Sequence, residues 1–254
     1  MFPYNTIIFY LQLQTAADDK NASEQLATKV EMLISCLRAV GSDDATIASK
    51  ASKVFISLAR QGDAANILVS PPIVEEMRIV SSKSDVVRYR IYDIIMTYCC
   101  ASEEKLTYCE ENQLIHSLLE EVSTGDILVQ LNALELVTTL GSCQHGRDFL
   151  DRRGTIQKLA SNLDGATADP LASLLVPGLM KFFGALAHFQ PNMMLKYPNF
   201  TNTMFNLIDD SDVSLKMISI ETLSFIASGP NGKSALNEQG IEEFYSFFLL
   251  LIKM

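Results

Sequence analysis

The chain has 254 residues, 48% of them hydrophobic, and carries 20 Lys and Arg against 30 Asp and Glu, a formal net charge of -10. That is enough apolar material for an extended core, and 12 Gly and 8 Pro leave no long flexible linker. The negative balance repels a phosphate backbone, which excludes nucleic acid as a favoured partner.

Residues 1–20 are expected to be poorly ordered. Their apolar run Ile7 to Leu13 is too short to cross a bilayer and lacks the preceding Lys or Arg of a secretory signal. Leu26, Val30, Leu33 and Leu37 then fall on one helical face, as the last helix of an incomplete N-terminal unit would.

From there the chain repeats itself. Acidic turns precede helical apolar patterns at Asp44, Asp85, Asp126, Asp169 and Asp212, which stand 41, 41, 43 and 43 residues apart. That spacing is in the armadillo/HEAT range. Eleven and fourteen residues after each Asp lie Phe55 and Leu58, Met96 and Cys99, Val137 and Leu140, Met180 and Phe183, and Leu223 and Ile226, all apolar. Offsets three and seven complete the same face with Ile47 and Ala51, Val129 and Ala133, Ala172 and Val176, and Leu215 and Ser219. The second repeat breaks the rule, with Arg88 before Tyr92.

A second helix follows each turn, carrying Leu114 and Leu118, Ile156 and Leu159, Met204 and Ile208, and Ile241 and Phe244. Gly146 and Gly154 recur as Gly232 and Gly240, and glycine suits the left-handed residue that ends a helix. Val176-Pro177-Gly178 interrupts the fourth first helix, where proline should bend or split it. No stretch alternates as a strand does. The expected fold is an all-α, right-handed armadillo/HEAT-like solenoid of about five helical repeats in one domain, 1–254. Such helix pairs bury their apolar faces only by stacking, and the stack offers a broad surface to protein partners.

Chemistry-bearing constellations are sparse. The histidines are His116, His145 and His188, and none stands in a nucleophile motif. Cys143-Gln144-His145 suggests a thiol and an imidazole, but neighbours at a helix-to-turn junction are expected to point apart. Cys99, Cys100 and Cys109 lack the paired spacing of a zinc site and read as core. Five cysteines with no framework spacing fit reduced thiols in a cytoplasmic or nuclear protein. No catalytic residue, cofactor or metal is expected, and the apolar tail Phe244 to Ile252 is too short to span a membrane.

Acidic pairs recur near the second helices: Glu75 and Glu76, Glu120 and Glu121, Asp209 and Asp210, and Glu242 and Glu243. They read either as an acidic strip that steers a basic partner or as helix-end charges in water. The Arg147, Arg152, Arg153 and Lys158 stretch reads as a solvated helix end or a local basic patch.

Three stretches are more particular. Asp85-Val86-Val87-Arg88-Tyr89-Arg90-Ile91-Tyr92, then His145-Gly146-Arg147, then Pro177 to Gly184 followed by Leu186-Ala187, resemble in order and separation the 26S proteasome non-ATPase regulatory subunit 5 family. Arg88, the exception to the periodic rule, belongs to the first of them. The resemblance runs from about Leu26 to Gly240. It implies a non-catalytic assembly chaperone of the proteasome regulatory particle base, a free monomer that holds the C-terminal domain of a proteasomal AAA ATPase subunit and leaves before the mature particle works. The alternative is a general armadillo-type adaptor or scaffold. Import-receptor or catenin-like peptide grooves use Trp ladders, and this chain has no Trp.

Overall fold

A computed structural model describes residues 3–124, 126–166 and 172–239. No strand occurs among the described residues, and the fold is all-α, built from armadillo/HEAT-like helical repeats. The chain divides into two compact units, Met1–Glu120 and Glu121–Met254.

In the first unit, α1 (Pro3–Asp18), α2 (Lys20–Ala27) and α3 (Val30–Val40) form one repeat. A second consists of α4 (Ala45–Ala59), a 3-10 turn (Ala64–Val69) and α5 (Pro71–Ser81). The third is α6 (Asp85–Cys99), α7 (Glu103–Glu111) and α8 (His116–Glu121), which reaches the border. Each repeat is thus a long first helix, a short connector and a third helix, where the sequence suggests pairs. First helices pack in a row, α1 on α4 and α4 on α6, while α3 packs on α5.

Two expectations are corrected here. The stretch 1–20 is helical over α1, which lies on α4 with Tyr10, Leu13 and Ala17 buried. Its inward stripe is narrow, and Ile8, Phe9 and Leu11 remain exposed outside it, which hides the helical period. The first repeat is therefore a whole one. The single face through Leu26, Val30, Leu33 and Leu37 is in fact shared by two helices, broken at Thr28 and Lys29.

The acidic period is mostly a period of helix N-caps. Asp44 Oδ1 accepts from the amides of Thr46 and Ile47 at 2.9 and 3.2 Å, Asp126 Oδ1 from Leu128 at 2.8 Å, and Asp212 Oδ1 from Ser214 and Leu215 at 2.7 and 3.4 Å. Each satisfies amides that the helix itself leaves unbonded. In the third repeat Ser84 is the cap, and Asp85 is the first helical residue. Asp169 lies outside the described residues. Of the ten residues at offsets eleven and fourteen, nine are fully buried, and Leu223 is half-buried.

The second unit repeats the plan with α9 (Ile127–Gly141), α10 (Gln144–Arg152) and α11 (Thr155–Ala166). A 3-10 turn (Ala172–Leu175) leads into α12 (Val176–Phe189), followed by α13 (Met193–Lys196) and α14 (Pro198–Ile208), then α15 (Val213–Ser228) and α16 (Gly232–Glu238). Pro177 does split its helix: the 3-10 turn ends and α12 begins around it, where a missing amide hydrogen is tolerated.

Helix α12 lies between α9 and α15. Its glycines sit at the crossings. A Cβ on Gly178 would approach Leu134 Cδ2 to 2.8 Å, and one on Gly184 would approach Thr222 Cγ2 to 2.8 Å. Beneath them Phe183 stacks on Phe200 at 5.4 Å between ring centroids and meets Phe182 edge-on at 5.2 Å, with Tyr197 at 5.5 Å. Such ring pairs add about 0.5–1.5 kcal/mol beyond their burial.

Candidate protein-interaction surface

Within each unit, polar side chains bind one repeat to the one before it. Gln61 Nε2 donates to the carbonyl of Asp18 at 3.2 Å, and Lys105 Nζ to that of Gly62 at 3.0 Å, each across 43 residues. Lys105 also lies 4.8 Å above the Tyr98 ring, and burial lowers its pKa. Arg90 Nη1 donates to the carbonyls of Val40 and Ser42 at the end of α3, at 3.0 and 3.4 Å. In the second unit Lys181 pairs with Glu135 at 3.0 Å and Lys196 with Asp151 at 2.7 Å. The Lys196 hydrogen bond holds the Asp151 carboxyl below its ordinary pKa. These links leave no local sequence trace, because their partners are 43 to 50 residues apart.

The acidic pairs have different surroundings. Glu75 is exposed on α5, 3.8 Å from Arg78. Glu76 is only 7% exposed, and Arg38 of α3 clasps it through two bonds, Nε to Oε1 at 2.9 Å and Nη2 to Oε2 at 3.1 Å. This carboxylate fastens α3 to α5. Glu120 pairs with His116 on α8 at 3.3 Å, and Glu121 beside it is half-buried. Asp210 Oδ1 accepts from the Asp212 amide at 2.8 Å and so shapes the turn before α15, with Asp209 exposed next to it. Glu242 and Glu243 lie outside the described residues. Among the described residues of the set, Glu75, Glu120 and Asp209 are thus exposed, with Glu75 and Glu120 on separate helices. Among large apolar side chains, Ile79, Val86, Leu128, Leu174, Val213 and Met217 are exposed and add a second class of candidate contacts.

The basic stretch is also divided. Arg152 and Lys158 are exposed, and Arg153 lies 5.7 Å from the Phe149 ring. Arg147, 6% exposed, donates from Nη1 to the carbonyls of Gly141 and Ser142 at 3.0 and 3.1 Å and from Nη2 to Gln144 Oε1 at 2.8 Å. It closes the end of α9 and sits 4.9 Å over the Phe189 ring. Gly146 lies inside α10, not at a left-handed helix end: a Cβ there would collide with the Leu140 carbonyl oxygen. Gly232 stands in the same relation to the Ile226 carbonyl, while Gly154, at φ 71°, has the left-handed conformation expected.

One further expectation fails at this corner. Cys143 and His145 do not point apart; Sγ lies 3.4 Å from Nε2 and also donates to the Leu140 carbonyl at 3.3 Å. Cys143 caps α10 in extended conformation, and the helix that starts there turns His145 back over the thiol. Cys99 and Cys109 are buried. No group of three or more His, Cys, Asp or Glu suited to a metal ion occurs among the described residues, and no helix there is long and apolar enough to cross a membrane.

The motif-bearing segments therefore hold corners and helix crossings. Residues 7–249 match the sequence profile of the family described as proteasome non-ATPase 26S subunit. The chain belongs to this family. It is 29% identical over 238 residues to the human 26S proteasome non-ATPase regulatory subunit 5, covering 92% of this chain and 47% of that protein. The mouse protein of the same name is 30% identical over 233 residues, covering 90% and 46%. The family member described here thus spans about half the length of the curated relatives it matches. An engineered protein whose crystal structure is solved shares the fold at 15% identity and a TM-score of 0.51, over 90% of this chain and 94% of its own.

Proposed function

We propose that the chain is a non-catalytic chaperone for assembly of the 26S proteasome regulatory particle base. It binds the C-terminal domain of a proteasomal AAA ATPase subunit through its helical-repeat surface and leaves before the mature particle forms, acting in the cytoplasm and nucleus as a monomer when free. The observation that carries this reading is the family match over residues 7–249. It is supported by relatives named as a proteasome regulatory subunit. A helical-repeat face suits such a task, since it presents a pre-formed surface without a catalytic constellation.

The test is capture of purified ATPase subunits by the purified chain, beside a full-length relative, together with the distribution of the chain between base intermediates and mature 26S particles. The expected result is capture of an ATPase C-terminal domain and absence from mature particles. Capture by the relative alone, or residence on mature particles, overturns the proposal. Glu75→Lys and Glu120→Lys separate an acidic contact strip from solvated charge: a steered basic partner would bind more slowly, and more so at low salt.

A further inference from the structure

The thiol and imidazole at the α9–α10 corner have no part in the function proposed above. We propose that Cys143 is a site of covalent thiol modification, at which His145 promotes formation of a mixed disulfide with small disulfides of the glutathione class.

Four observations meet there. The residue is half-buried, not sealed, and its sulfur lies 3.4 Å from His145 Nε2, within reach for proton transfer. Cys143 is the N-cap residue of the nine-residue α10, so the helix's positive end begins beside it, although the thiol itself makes no capping hydrogen bond. Arg147, on the next turn, keeps its guanidinium buried beside the same corner, and attraction to Cys143 partly offsets the effect of burial on its pKa. The buried Arg147 Nε makes no hydrogen bond. The other thiols differ. Cys36, Cys99 and Cys109 are buried, and burial pushes the Cys36 pKa up to about 12. Cys100 matches Cys143 in partial exposure and serves as the internal comparison.

The step balances without further reagents. His145 Nε2 takes the Cys143 proton, and the thiolate attacks one sulfur of the incoming disulfide. The Cys143 S–S bond forms as the reagent's own S–S bond breaks. The leaving thiolate takes the proton back from the imidazolium and departs as a thiol. Cys143 is oxidised and the departing sulfur is reduced. The adduct also ends the Cys143 hydrogen bond to the Leu140 carbonyl and places bulk beside the Arg147 closure of α9, so modification should loosen the corner.

The experiment uses the reduced full chain with glutathione disulfide at neutral pH, following each cysteine by peptide mass spectrometry. Cys143 should react about threefold or more faster than Cys100, as expected when an imidazole within reach takes the thiol proton. His145→Gln should slow Cys143 about tenfold and leave Cys100 unchanged, with helix content unaltered by circular dichroism. Equal rates at Cys143 and Cys100 in the wild-type chain overturn the proposal whether or not the variant folds. So does an unchanged Cys143 rate in a folded His145→Gln. Hydrogen exchange should rise across α10 in the adduct; protection there equal to the reduced protein would overturn the loosening.

Discussion

The two units are built to one plan but held by different means. In the first, the link between third helices is an ion pair with a buried member, Glu76, held by two bonds from a largely exposed Arg38. In the second, the cross-repeat pairs Lys181–Glu135 and Lys196–Asp151 lie at the surface, and the interior is an aromatic cluster around Phe183 approached through glycines. Surface pairs in water contribute at most about 1 kcal/mol each, whereas a buried aromatic side chain contributes several times that. The same repeat can therefore be secured by directed charge or by close ring packing, and the two should respond differently to mutation and salt.

The comparison is broken most severely by Phe183→Ala, which should destabilise the second unit by about 3–5 kcal/mol. Hydrogen exchange should show the loss over α12 and α14 and little change in α4 to α6. Gly146→Ala comes next, at about 2 kcal/mol or more, because the added methyl meets a backbone oxygen that cannot swing aside. Denaturant unfolding compared with wild type gives the value, and a change below about 0.5 kcal/mol would contradict the close approach.

Arg38→Ala should destabilise the first unit measurably, since it leaves the Glu76 carboxylate buried without its partner. Much of that loss should be recovered in the double variant Arg38→Ala with Glu76→Leu, which sets the first unit apart from the second. Asp44→Ala, which removes an N-cap, should cost about 1 kcal/mol. Asp212→Ala should match it, because the cap geometry is the same in both units.

The smallest effect belongs to Asp151→Asn, below about 1 kcal/mol at neutral pH. The folded-state pKa of Asp151 lies below its ordinary value. Its contribution is therefore complete above the normal carboxylate range and disappears as pH falls through the lowered value. Wild type and variant should converge in thermal stability on acidification, and a gap that widens instead would reverse the sign of the shift.

Apart from α1, the long first helices were legible in the sequence because their signals are local. Asp44, Asp126 and Asp212 mark helix starts through hydrogen bonds to amides two and three residues on, and the buried stripe follows from helical geometry. The connectors α2, α7, α10, α13 and α16 were not, since helices of four to nine residues are too short to establish an apolar period. The state of Glu76 was equally hidden: its neighbour Glu75 has the same charge, and only Arg38, 38 residues earlier, distinguishes them. Local spacing misled at Cys143, where the turn into α10 carries His145 back to the sulfur.

The fastenings of Gln61 to Asp18 and of Lys105 to Gly62 span an identical length of chain. A deletion of a whole period would leave every surviving corner facing an equivalent one, while removal of a few residues would misalign all the contacts downstream within the unit. Lengthening or shortening by duplication is therefore open to this architecture only in steps of about one module. Change in its size over evolution should be granular, with single-residue gaps confined to the turns between helices.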